Sequence, residues 1–151
     1  MNARTVSMVS SATTTETRDA SSAKIIVAIR SGKWRSAVDA IREKFARVLK
    51  ETGDRTAAKK AVDAEKKKLP AAMWSGRFSR RANEGLIDHS GLLCADVDGL
   101  GESLPQVCSK LRASPHLWAL FLSPTGDGLK AVFRITADPA RHTAARNGGQ
   151  P

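Results

Sequence analysis

Leu92-Leu93-Cys94-Ala95-Asp96-Val97-Asp98 sets an apolar run against two acids at its end, with Gly91 before it and Gly99 after it. This pattern predicts a β-strand over 92–98. Residues two apart on a strand share a face, so the carboxylates of Asp96 and Asp98 converge. Like charges at that spacing raise one pKa unless a positive charge lies between them. A hard divalent ion, Mg²⁺ or Mn²⁺, meets that need: it binds one or two carboxylates and leaves its other positions to water and substrate phosphates. The plainer alternative is a pair of turn residues at a strand end, since a bare D-x-D is a common pattern.

Downstream, the spacing predicts a short helix over 102–113, with Leu104, Val107, Cys108 and Leu111 facing inward. Apolar strands follow at Leu117–Leu122 and Leu129–Ile135. Pro124-Thr125-Gly126-Asp127-Gly128 between them is dense in turn formers, which makes the two strands a hairpin. Gly126 and Gly128 could turn backbone N–H groups toward an anion. Lys130, sharing a strand face with Val132 and Arg134, stands where a point charge reaches a phosphate. No helix follows and no Gly-Lys-Ser/Thr order occurs, so this is not a P-loop. An ordinary hairpin turn beside a surface lysine is the competing reading. Asp138-Pro139 has the look of a helix start.

Upstream, Trp34, Ala37, Val38, Ile41, Phe45, Val48 and Leu49 recur at three- and four-residue steps and predict a helix over 33–51. Gly53 stops it. A second helix is expected over 55–68, ended by Pro70, and an extended segment over 71–78. Residues 1–23 are rich in Ser and Thr and are expected to form a disordered lead-in. That leaves one domain over 24–145 and a disordered tail over 146–151. The predicted class is α/β (α+β): one mixed sheet, partly a β-hairpin, backed by helices.

Charge divides the chain. Residues 30–81 hold sixteen Lys/Arg against six Asp/Glu, whereas residues 91–135 hold four of each. A one-signed excess that includes Lys59, Lys60, Lys66, Lys67, Arg77, Arg80 and Arg81 points to an anionic partner, of which nucleic acid is the commonest. Otherwise it is a solvated helical face. Two cysteines, Cys94 and Cys108, are too few for a disulfide framework or a tetrahedral zinc site, and they suit a reducing cytoplasm as buried free thiols. No apolar run is long enough to span a membrane.

Taken together, several stretches resemble the N-terminal domain of the virulence-associated protein E (VirE-like) family. The residues are Leu69-Pro70, Ser75-Gly76-Arg77-Phe78, His89-Ser90-Gly91-Leu92-Leu93-Cys94-Ala95-Asp96-Val97-Asp98 and Leu120-Phe121-Leu122-Ser123-Pro124-Thr125-Gly126-Asp127-Gly128-Leu129-Lys130. The resemblance covers a little under half the chain. It implies a primase-polymerase-like, RRM-related core of the archaeo-eukaryotic primase superfamily. It also implies nucleotidyl transfer, with Asp96 and Asp98 holding Mg²⁺ or Mn²⁺ and Ser123, Gly126, Gly128 and Lys130 binding the phosphates of a nucleoside triphosphate. Lys130 stands where the superfamily often has histidine. DNA is the implied partner, a helicase-type ATPase in cis or in trans another, and a mobile element or phage the setting. A third metal-holding acid belongs on a later strand and has no candidate before Pro151. The expectation is therefore a piece of a larger replication protein, incomplete for catalysis by itself.

Two other readings compete. A non-catalytic nucleic-acid-binding module would keep the shape and the basic helices without turnover. A haloacid-dehalogenase-like phosphatase would use Asp96 as nucleophile in its D-x-D-G motif, with Ser123 as its second motif, but it should continue into a helix after Ser123.

Overall fold

A computed structural model describes residues 3–137. The helix expected at Asp138-Pro139 and the tail 146–151 lie outside the described residues. Eight strands and five α-helices are described, and every strand pairing is antiparallel.

The first strand overturns an expectation. The lead-in expected to be disordered over 1–23 carries two strands in its described part: β1 (Thr5–Val9) is the centre of a sheet, between β2 (Arg18–Ser21) and β3 (Ala71–Met73). Val6, Ser7, Met8 and Val9 are all buried. Ser/Thr-rich composition averaged over the segment hid a short strand covered on both faces. The one polar residue on it is satisfied, because the Ser7 hydroxyl accepts a 2.8 Å hydrogen bond from the Phe78 amide. A domain boundary at residue 24 would cut this sheet apart.

Helix α1 (Ser22–Arg30) follows, burying Ile25 and Ile26. It had no counterpart in the sequence reading. Helix α2 (Arg35–Thr52) matches the helix expected over 33–51 and buries Ile41 and Phe45. Gly53 closes it with φ +65°, its amide donating to the Leu49 carbonyl at 2.8 Å. The single helix expected over 55–68 is broken into α3 (Arg55–Ala61) and α4 (Asp63–Lys67). The chain turns at Val62, which is fully buried against Ile41, Phe45 and Ala58. Asp54 caps α3 by accepting from the amides of Thr56 and Ala57.

The extended segment 71–78 also divides. A turn at Ser75 leaves β3 paired with β1 and sends β4 (Gly76–Phe78) to β5 (Leu86–His89). For this reason the expected single sheet is three small ones. Arg77 fastens β4 with ion pairs of 2.8 Å to both Asp19 and Asp88. The third sheet has the order β6-β8-β7, formed by β6 (Leu92–Val97), β8 (Leu129–Arg134) and β7 (Leu117–Leu122). Between β6 and β7 runs α5 (Leu104–Arg112), with Pro105 in its first turn. The main core gathers Val6, Met8, Ile25, Ile26, Trp74, Leu92, Trp118 and Val132. The class is α+β, with a hairpin backed by helices. No helix among the described residues is long and apolar enough to cross a membrane.

Candidate functional site

Asp96 lies on β6 directly opposite Lys130 on β8, the central strand of its sheet. The cross-strand register brings the Lys130 Nζ to 2.8 Å from the Asp96 Oδ1. Asp98, one residue past the strand, meets the Lys59 Nζ at 3.8 Å. Both carboxylates are more than half exposed. They line an open groove of about 860 Å³ together with Ser123 and Lys130. Cys94, also on this wall, has its thiol pushed up to about 12, first by burial and then by the Asp96 charge. Both causes favour the protonated thiol over the thiolate.

The turn between β7 and β8 is held from three sides. Within it, the Gly126 amide donates to the Ser123 carbonyl at 2.9 Å, and the Ser123 and Thr125 hydroxyls are 3.1 Å apart. The Asp127 carboxylate, 8 % exposed, accepts from the Gly101 amide at 3.2 Å, and its backbone carbonyl accepts from the Leu100 amide at 2.9 Å. Arg55, at the start of α3, sets its Nε 3.1 Å from the Asp127 Oδ2 and donates from Nη1 to the Gly99 carbonyl at 3.1 Å. Arg42 on α2 donates to the Ser123 carbonyl at 3.3 Å.

The glycines also have roles in packing. The Gly126 N–H is used inside the turn. At Gly128 a Cβ would lie 2.5 Å from the Val97 carbonyl oxygen, so its lack of a side chain lets the turn press against the end of β6.

The basic residues separate into groups. Lys66 and Arg81 line the groove. Lys59 is engaged by Asp98 and Lys67 by Asp63 at 2.6 Å. Lys60 and Arg80 are exposed outside the groove. Arg77, expected to contact nucleic acid, is occupied by Asp19 and Asp88, which raise its already high pKa. Sequence reasoning passed over Arg35, Arg42 and Arg55, because each sits in a helical stretch where an arginine reads as solvated surface.

Asp96 and Asp98 suit a hard cation: both offer accessible carboxylate oxygens beside a groove. Two carboxylates with waters and substrate phosphates are an ordinary Mg²⁺ set. No cluster of three or more His, Cys, Asp or Glu that could hold a metal occurs among the described residues.

A family model spans both acids, the turn and Lys130, matching residues 64–149. The chain belongs to the family of BT4734-like N-terminal domains. No curated protein and no solved structure matches it. The BT4734-like match begins after Arg42, Arg55 and Lys59, so three side chains that brace its site come from the chain before residue 64.

Proposed function

We propose that this chain is a primase-polymerase-like nucleotidyltransferase domain of a mobile-element or phage replication protein, as its resemblance to the VirE-like N-terminal domain implies. The observation supporting it most is the cross-strand pairing of Asp96 with Lys130, beside Asp98 in one groove. A carboxylate pair for metal thus adjoins a cation for phosphate. Asp96 and Asp98 would hold Mg²⁺ or Mn²⁺, which supplies charge neutralisation at the phosphates and lowers the pKa of the attacking hydroxyl. Lys130, now paired with Asp96, turns to a nucleotide phosphate as a point charge. The hydroxyl oxygen would attack the α-phosphorus and pass its proton to solvent water, while the bond from the α-phosphorus to the bridging oxygen breaks and pyrophosphate departs. The third acid of such a site is sought beyond the described residues. Free thiols at Cys94 and Cys108 suit the cytoplasm. A helicase-type ATPase acting in cis or in trans completes the proposed setting.

The phosphatase reading asks for a helix after Ser123, where a tight turn and the antiparallel return of β8 stand. The binding-module reading shares the groove and differs only in turnover. One experiment separates them: Mn²⁺ binding followed by electron paramagnetic resonance with and without nucleoside triphosphate, beside primer extension on template DNA. The proposal expects nucleotide-enhanced Mn²⁺ binding that Asp96→Ala/Asp98→Ala abolishes, and extension once the third acid is supplied. DNA binding with no Mn²⁺–nucleotide site in the wild type would leave only the binding module.

A further inference from the structure

The connection between α1 and α2 ends in Lys33-Trp34 and α2 opens on Arg35, a cation, an indole and a cation in succession. The expected helix over 33–51 would have laid Trp34 along an apolar stripe. In the structure α2 begins at Arg35, and Trp34 occupies its N-cap position with φ −111° and ψ 18°, half-buried, packed against the main core and also lining the groove. Lys33 holds its ammonium 5.6 Å from the Trp34 ring centroid.

Charge along this groove is unbalanced. Asp96 and Asp98 each have a lysine beside them. Among the described residues no carboxylate pairs with Arg35, Arg42, Lys66 or Arg81, all of which line it. The Arg42 Nε is buried with no hydrogen-bond partner. Asp39 is the one further acid in the lining. Such a surface takes an anion, and the indole asks for a ligand with a flat π-face. A nucleic-acid strand with unpaired bases has both, at a spacing that repeats. A duplex hides its base faces, whereas stacking on aromatic side chains beside a basic track is how single strands are held without regard to sequence.

We propose that the groove is a single-strand binding track, with Trp34 stacking a base and Arg35 and Lys66 following the phosphates. This rests on the nucleotidyltransferase reading only for where the strand leads, namely to Asp96 and Asp98. The binding itself needs neither acid and no metal.

The test is titration of the full chain with fluorescein-labelled oligo-dT and with a labelled duplex of equal length, in EDTA. Four variants accompany the wild type: Trp34→Leu, Arg35→Gln/Lys66→Gln, Asp96→Ala/Asp98→Ala, and Lys60→Gln/Arg80→Gln outside the groove. Near-ultraviolet circular dichroism checks that each is folded. The expected results are preference for oligo-dT over duplex, and a 5- to 50-fold loss for Trp34→Leu, the range for about 1–2.3 kcal/mol of stacking. Arg35→Gln/Lys66→Gln should flatten the salt dependence of binding by about two counterions' worth of slope. Asp96→Ala/Asp98→Ala should bind oligo-dT no more weakly than the wild type, because it takes two negative charges out of the groove and frees Lys59 and Lys130. Should Trp34→Leu misfold, the arginine–lysine pair decides by itself. Equal affinity for duplex, or losses confined to Lys60→Gln/Arg80→Gln, overturns the track and leaves the nucleotide site standing. Oligo-dT binding without any Mn²⁺–nucleotide site supports the track while removing the nucleotidyltransferase reading.

Discussion

At the residue scale, Gly128 shows how the two halves of the site come to touch. A methyl group there would stand 2.5 Å from the Val97 carbonyl oxygen and 3.1 Å from the Asp98 Oδ1. Gly128→Ala must push the turn off the end of β6, with an expected destabilisation of about 1–3 kcal/mol by chemical denaturation. It should also weaken Mn²⁺ binding more than Gly53→Ala, which meets nothing within 4 Å and carries only the strain of φ +65°. Equal effects on Mn²⁺ from both glycines would detach Gly128 from the metal site. Cys94 gives a second prediction. Its folded pKa is raised from 9.0 to about 12, so the folded chain keeps the thiol proton longer than the unfolded chain does. The stability this contributes is fully present below pH 9 and is lost as pH rises toward 12. The loss of stability between pH 9 and 11 should therefore be shallower in Cys94→Ala than in the wild type. The D-x-D pair and Lys130 were legible in the sequence, because strand alternation and turn formers are local. The bond that ties them was not, since the Asp96–Lys130 register depends on which strand β8 pairs with.

At the scale of elements, the basic helices do more than carry charge. Arg55, the first residue of α3, reaches both the Gly99 carbonyl and Asp127, so the loop after Asp98 and the turn before Lys130 are fastened by one side chain. Asp127 is nearly buried and would be left with an unmatched charge if Arg55 were removed. The expected cost of Arg55→Gln is about 1–2 kcal/mol, less than for a fully buried pair because Arg55 itself is 39 % exposed. Adding Asp127→Asn should recover part of that loss in a double-mutant cycle. A strictly additive cycle would show that the two side chains do not interact. Helix periodicity had already placed α2 to within two residues, because its apolar stripe runs through five turns. It missed the break at Val62, where tertiary burial beside Ile41 and Phe45 outweighed continuing a helix of good helix formers.

For the whole molecule, the N-terminal strand decides what the smallest folding unit is. Average composition marked residues 1–23 as unable to bury apolar surface, and the average misled because only Val6, Met8 and Val9 needed to do so. β1 is bonded to β2 on one side and β3 on the other, and Val6 and Met8 belong to the same core as Leu92, Trp118 and Val132. The site-bearing sheet and the N-terminal sheet thus share one interior, although the family match begins only at residue 64. Deletion of residues 1–21 removes both β1 and β2, exposes the inner edge of β3, and takes Val6 and Met8 from the core. Each of those two side chains contributes about 1.5–3 kcal/mol when fully buried. Set against a total stability of about 5–15 kcal/mol, their loss together with a central strand's backbone bonds should abolish cooperative unfolding. The prediction is that a chain starting at Ser22 loses its near-ultraviolet circular dichroism and its sigmoidal urea transition, whereas one starting at Ala3 keeps both. A cooperative transition in the shorter chain, at an unchanged midpoint, would show that the groove and its acids stand without the first sheet.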